Sequence, residues 1–211
     1  MPRLLTAVRV TALLVTSSAF AQTAAPPAPT AKSAPTPPAP PSPMKLAAER
    51  TQAALKQVPP GRPTDVKSVE DVVTALYDVI SGPAGKARDW QRFRSLFYPG
   101  AQMASVQRPR PDGRPGVAPV TPEDYVTWGE EYFKAHGFFE RETHRQVSGY
   151  GDLVNVLSAY EIRTSPEAAP LLRGVNNIQL SFDGQRWWVL HISWTDEKAA
   201  GAPVPTAFTR K

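Results

Sequence analysis

The sequence has no cysteine, no unbroken apolar run of membrane-spanning length and no familiar catalytic signature. Without cysteine there are no disulfides, no thiolate nucleophile and no lipid-modified cysteine, so the fold must be held by its core alone. The longest apolar stretch, around VRVTALLV, is interrupted by Arg9, Thr11 and Thr16 and falls short of the roughly 20 residues needed to cross a bilayer. The three histidines, His136, His144 and His191, show no ligand spacing, so neither a metal nor any other cofactor is expected. A serine-hydrolase elbow, a phosphate loop and a dinucleotide fingerprint are also missing.

Positive charge is scarce where it would count. The chain carries a formal charge of +5, yet residues 68–196 hold 13 Lys or Arg against 16 Asp or Glu. The excess sits in the flanking segments, so no nucleic-acid partner is expected. What is abundant is proline, 24 residues of 211, enough to require that part of the chain is linker.

Four regions follow. Residues 1–21 have a basic start, an apolar stretch and SSAFA before Gln22, the pattern of a removed signal peptide. The mature protein is therefore expected to be secreted, in the periplasm. Residues 22–67 form a Pro/Ala-rich tether, with a weak helix over 44–58 whose apolar stripe is thin. Residues 68–196 form the folded domain, and 197–211 a flexible tail.

The domain's first helix runs through SVEDVVTALYDVIS, capped by Ser68, with Val69, Val72, Val73, Leu76, Tyr77 and Ile80 on one face and Asp78 toward solvent. A second helix covers KARDWQRFRSLFYPG, presenting Trp90, Phe93, Leu96 and Phe97. A short strand, AQMASVQ, leads to the loop RPRPDGRPGVAP, which is either a lip over a pocket or an exposed insertion. The third helix opens at TPED, with Tyr125, Trp128, Tyr132 and His136 facing inward. After Gly137 the apolar period drops to two, predicting strands over FFERETHRQVSGYG, DLVNVLSAYEIRTS, RGVNNIQLSFDG and QRWWVLHISWTDE. Helices followed by long hairpinned strands predict an α+β domain. In the last strand Trp188, Leu190, Ile192 and Trp194 alternate with Trp187, Val189, His191 and Ser193, so both faces are apolar enough to bury.

Residues 68–196 resemble the nuclear transport factor 2-like (NTF2-like), or SnoaL-like, superfamily. The likeness rests on the element order and on W-x-x-F-x-x-L-F-x-P-G-A (Trp90 to Ala101), YGDLVNV (Tyr150 to Val156), GVNNIQL (Gly174 to Leu180) and DGQRWWVLHISW (Asp183 to Trp194). The resemblance implies a cone, in which a strongly bent antiparallel sheet wraps a pocket and three N-terminal helices pack on its concave face. It also implies a homodimer through the convex face. Isomerases, dehydratases, cyclases, epoxide hydrolases and pure binders share that shape, so the fold alone names no activity.

The chemistry has to come from side chains able to reach such a pocket. Glu140, Glu142 and His144 share one strand face by their spacing of two, and a carboxylate beside an imidazole suffices for acid/base work; a solvated strand face has the same pattern. Tyr160 stands on the apolar face of the next strand, either in the pocket or as a core tyrosine. Asn176, Asn177 and Gln179 are amides that need partners if buried, and His191 is either a packed histidine or a base. The expected function is binding of a small, largely apolar molecule by Tyr77, Trp90, Trp128, Tyr132, Tyr160, Asn176, Gln179 and Trp188. The alternatives are an isomerase-, dehydratase- or cyclase-type enzyme using Glu142, His144 and Tyr160, and a non-catalytic dimeric interaction module.

Overall fold

The computed structural model describes residues 42–108, 111–113 and 116–208. The expected signal peptide and residues 22–41 of the tether lie outside them. The first helix, α1 (Pro43–Leu55), starts where the Ser42 hydroxyl accepts from Lys45 N at 3.2 Å and buries nothing. The next, α2 (Pro63–Val66), is only four residues, yet Asp65 and Val66 are both buried. The packed region therefore reaches further toward the N-terminus than the Ser68 boundary. Val66 enters the core, and Arg92 reaches across to Asp65 with two bonds of 2.7 and 3.0 Å, an arrangement that satisfies the buried carboxylate.

Helix α3 (Val69–Ile80) is capped by Ser68 and buries Val72, Val73, Leu76, Tyr77 and Ile80. Helix α4 is shorter than expected, Trp90–Ser95. The carbonyl of Leu96 accepts from Val189 N at 2.9 Å, which draws the chain into a strand, β1 (Phe97–Val106). Pro99 cannot donate to a ladder, and Gly100, at φ +85°, lies where the register with the last strand slips between Phe97 and Gln102. Part of the loop that follows is a strand, β2 (Val117–Val120), paired with β1. Helix α5 (Pro122–Ala135) begins with a capping box between Thr121 and Asp124. Its buried face is Val126, Gly129 and Phe133, a rotation from the expected stripe that leaves Trp128 45% exposed and His136 exposed. Gly129 is required, because a Cβ there would lie 2.7 Å from the Trp90 ring.

The long strands are β3 (Phe139–Tyr150), β4 (Leu153–Arg163), β5 (Leu172–Phe182) and β6 (Trp187–Asp196). The six strands form one bent, unclosed sheet in the order β2-β1-β6-β5-β4-β3. Every joint is antiparallel except β1 with β6, which run parallel. The core lies between the concave face, through Val156, Ile178, Leu180, Val189 and Ile192, and helices α3, α4 and α5.

Two β-bulges reverse the alternation expected from sequence. In β3, Glu142 stands opposite Tyr160 but His144 opposite Ala159, so Thr143 is the extra residue and His144 turns to the convex face. In β6, His191 pairs with Gln179 and Val189 with Leu180. Leu190 is the extra residue, and Val189 joins Ile192 on the concave side while Trp188 faces outward.

Within the C-terminal segment expected to be flexible, the described residues 197–208 include helix α6 (Glu197–Ala200) and a 3-10 turn (Thr206–Phe208). Phe208 is buried, with its ring edge-on to His144 at 5.9 Å. This segment straps over the convex face, where Ala159 is also buried. Phe208→Ala should lower unfolding stability by about 1–3 kcal/mol through loss of that burial, a change that urea titration would detect and that a loose tail would not show.

Candidate functional site

A cavity of about 430 Å³ lies between α3, α5 and the concave face of the sheet. Its wall is mostly apolar, with Leu76, Ile80, Phe93, Met103, Phe138, Ile162, Ile178 and Ile192 around the body and Trp128, Trp194, Val120 and Leu172 beside them. The polar groups that reach it are few: Tyr77, Tyr125, Tyr160, Asn176, Glu140, Asp124 and Asp196.

Glu140 owes its position to the end of α3. The Ser81 hydroxyl accepts from Glu140 N at 3.0 Å and lies 2.7 Å from Tyr77 O and 3.1 Å from Glu140 O, to which it can donate in turn. Beside it Gly82 and Phe138 exchange two backbone bonds of 2.7 and 3.0 Å. With Phe138 buried, the strand's alternation turns Glu140 inward as well.

A directed chain of hydrogen bonds runs from this carboxyl. Asn176 Nδ2 donates to Glu140 Oε1 at 3.1 Å and to Tyr77 Oη at 3.0 Å. Tyr77 and Ser158 are 2.7 Å apart, and Ser158 donates to Glu142 Oε1 at 2.5 Å. Glu142 is paired with Arg145 and as a carboxylate only accepts. Ser158 must therefore give its proton to Glu142, and Tyr77 must donate to Ser158 while accepting from Asn176.

Burial pushes the Glu140 carboxyl up to about 7, although the Asn176 bond opposes the shift. Burial likewise raises the hydroxyls of Tyr125 and Tyr160, with the nearby Glu140 charge adding to both. These phenols keep their protons at neutral pH and form no hydrogen bond among the described residues, so both are donors free to meet a ligand.

Of the residues expected to bind, Tyr77, Trp128, Tyr160 and Asn176 line the cavity. The other four lie elsewhere. Trp90 packs over Gly129 and stacks on Phe133 at 6.1 Å. Tyr132 sits between Trp128 and His136, at 4.8 and 4.2 Å, because α5 is rotated from the expected stripe. Gln179 is exposed on the convex face, opposite His191. Trp188 is turned outward by the β6 bulge, under the Arg186 guanidinium at 3.6 Å, with its indole N–H on Asp183. Of the expected acid/base pair, Glu142 borders a second pocket with Ser81 and Arg163, which Tyr77 and Glu140 also line, and His144 is on the convex face under Phe208. Among the described residues no three His, Cys, Asp or Glu gather as a metal centre.

The carboxyl that does enter is Glu140, which the alternation FERETHRQ disguises as part of a solvated strand. Its signal was the neighbouring Phe138, two residues earlier on the same face. Asp196 stands in the same relation to Trp194.

The bent sheet with helices on its concave face is the architecture that the NTF2-like resemblance implies. No family model and no curated protein matches the chain. Solved structures similar to it include a candidate dehydratase of the NTF2-like family from Streptomyces avermitilis, 18% identical over 63% of this chain and 96% of that one, with a TM-score of 0.44. An NTF2-like protein of unknown function from Silicibacter pomeroyi is 12% identical over 71% of this chain and 98% of that one, TM-score 0.42. A candidate ketosteroid isomerase from Shewanella frigidimarina is 15% identical over 59% and 91%, TM-score 0.41. Likeness this distant carries no activity from one chain to the other.

The raised Glu140 group makes a stability prediction with a definite sign. Its pKa in the fold, about 7, exceeds the ordinary 4.5, so the neutral carboxyl is the favoured buried form. Its contribution is complete below pH 4.5 and is lost as pH rises through 7. Glu140→Gln, neutral throughout, should match the wild type at pH 4 and exceed it at pH 8 by on the order of 2 kcal/mol. Urea unfolding at the two pH values would reveal the crossover, and equal stability at pH 8 would contradict the burial of the carboxyl.

Proposed function

We propose that the chain takes a small, largely apolar molecule into this cavity and moves a proton on it, with Glu140 as the base. The observation that supports this reading is a carboxyl held by Asn176 against a mostly apolar, aromatic-lined space and pushed up by burial to about 7. A group with that pKa accepts and returns protons at neutral pH with little penalty either way. Glu140 would remove a proton from a carbon beside a polarised oxygen. The Tyr125 and Tyr160 hydroxyls, both protonated and uncommitted, would donate to the oxygen as its negative charge develops. The neutral Glu140 carboxyl would then return the proton to the same or a neighbouring carbon.

The experiment is a screen of small cyclic and aromatic ketones for exchange of carbon-bound hydrogen with deuterated solvent, followed by NMR. Exchange should rise with pH through about 7 and level off, since the base must be ionised. Glu140→Gln should abolish it, and Tyr160→Phe should slow it by roughly 10²-fold, as loss of one oxyanion donor does. Apolar probes that bind while no exchange occurs would favour the alternative, non-covalent binding, which the Tyr125, Trp128 and Trp194 rings could serve alone.

Two readings of the setting are also proposals. Residues 1–21 have the pattern of a signal peptide, which supports a secreted, periplasmic protein. The homodimer expected through the convex face has support in the half-buried Leu157 and His191, but it would have to form beside the C-terminal strap. Sedimentation at micromolar concentration tests it, and a monomer would end it.

A further inference from the structure

The charge lining the cavity is one-sided. Glu140, Asp124 and Asp196 all line it, and among the described residues no Lys, Arg or His does. Each rim acid has only local partners. Asp124 accepts from the backbone N–H and hydroxyl of Thr121 through Oδ2, and Asp196 accepts from Ala199 N through Oδ1. Neither forms an ion pair among the described residues. Several acids elsewhere on the fold are matched to cations, as Glu123 is to Arg94 and Asp65 to Arg92.

Three further observations mark the space as a ligand site rather than an acidic surface. It is a cavity; three of its lining residues, Tyr125, Trp128 and Trp194, are aromatic; and Tyr160, only 3% exposed, lines it with a hydroxyl that has no partner among the described residues. An anionic ligand would meet three carboxyl groups and, among the described residues, no cation in the wall to answer it. A cation would be drawn to the carboxylates and gain from the aromatic lining as well.

We infer that the ligand of this cavity is an organic ammonium: an apolar, aromatic-sized body whose cationic end lies by Asp124, Asp196 and Trp128, with its other end toward Glu140 and Tyr160. The orientation of the far end rests on the proton-transfer reading of Glu140; the preference for a cation does not. The acids divide the work by depth. Asp124 and Trp128 are exposed and meet the ammonium where it stays partly hydrated, while the half-buried Glu140 is left to the reacting end.

The test compares three probes of one shape, 4-phenylbutylamine, 4-phenylbutan-1-ol and 4-phenylbutanoate, by calorimetry at pH 7 on the full chain. The ammonium should bind about 10-fold more tightly than the alcohol and the carboxylate least, the range expected for an ion pair with ring contacts at a partly exposed rim. Raising the salt concentration should weaken the ammonium and spare the alcohol. Asp124→Asn and Asp196→Asn, in which the side-chain oxygen can still cap the helix, should each shrink the ammonium-to-alcohol ratio several-fold, with thermal unfolding confirming that the variants fold. An alcohol that binds as tightly as the ammonium, or a ratio unchanged in the double variant, overturns the inference while leaving Glu140 as base. Failure of all three probes to bind overturns both readings.

Discussion

The site depends on the seam between the end of α3 and the start of β3. Ser81 joins Tyr77 to Glu140 through one hydroxyl, and Gly82 and Phe138 close the seam with a pair of backbone bonds. Each bond is worth only about 1 kcal/mol net, but together they set a register. A slip of one residue in β3 would turn Arg141 inward and Glu140 out to solvent. The same seam anchors Tyr77, so the helix that fills one end of the cone also carries the hub of the polar chain beside the cavity.

The large elements were legible in the sequence because their signals are local. Helix α3 lies within a residue or two of its apolar stripe, and the four long strands lie within their period-two runs, since burial of one face leaves a regular mark. Helix α4 and β2 were less legible. The apolar spacing of Trp90, Phe93, Leu96 and Phe97 suits a helix, but the ladder with Val189 claims Leu96 and Phe97 for the sheet. The segments outside the expected domain are polar on average, and Val66 and Phe208 enter the structure as single buried anchors that no periodicity announces.

The site itself was half legible, and the two bulges account for much of the shortfall. Thr143 and Leu190 occupy positions that any strand residue could fill, with no glycine or proline to flag the extra residue. Past each bulge the inside and outside sets exchange, which removes His144 from the acid/base face and Trp188 from the pocket. Residues on the near side of the bulges, Tyr160 and Asn176 among them, fall where simple alternation places them.

Glu140 and Glu142 stand two residues apart on the same face and are treated differently by their neighbours. Glu142 receives a hydroxyl from Ser158 and an ion pair from Arg145, so its charge is answered within the protein. Glu140 has, among the described residues, one side-chain hydrogen bond, the amide hydrogen from Asn176, and faces a mostly apolar cavity. The polarity of the intervening chain enforces the difference: each hydroxyl points away from Glu140, because the fixed anion at the far end draws every proton toward itself. Tyr77 therefore cannot turn its hydroxyl back to solvate the cavity carboxyl without breaking its bond to Ser158. The donors left to answer a negative charge inside the cavity are Tyr125 and Tyr160, whose hydroxyls form no hydrogen bond among the described residues. A carboxyl kept short of donors next to phenols kept free of acceptors costs stability in the empty protein, and a ligand that brings the missing partners to both would recover it on binding.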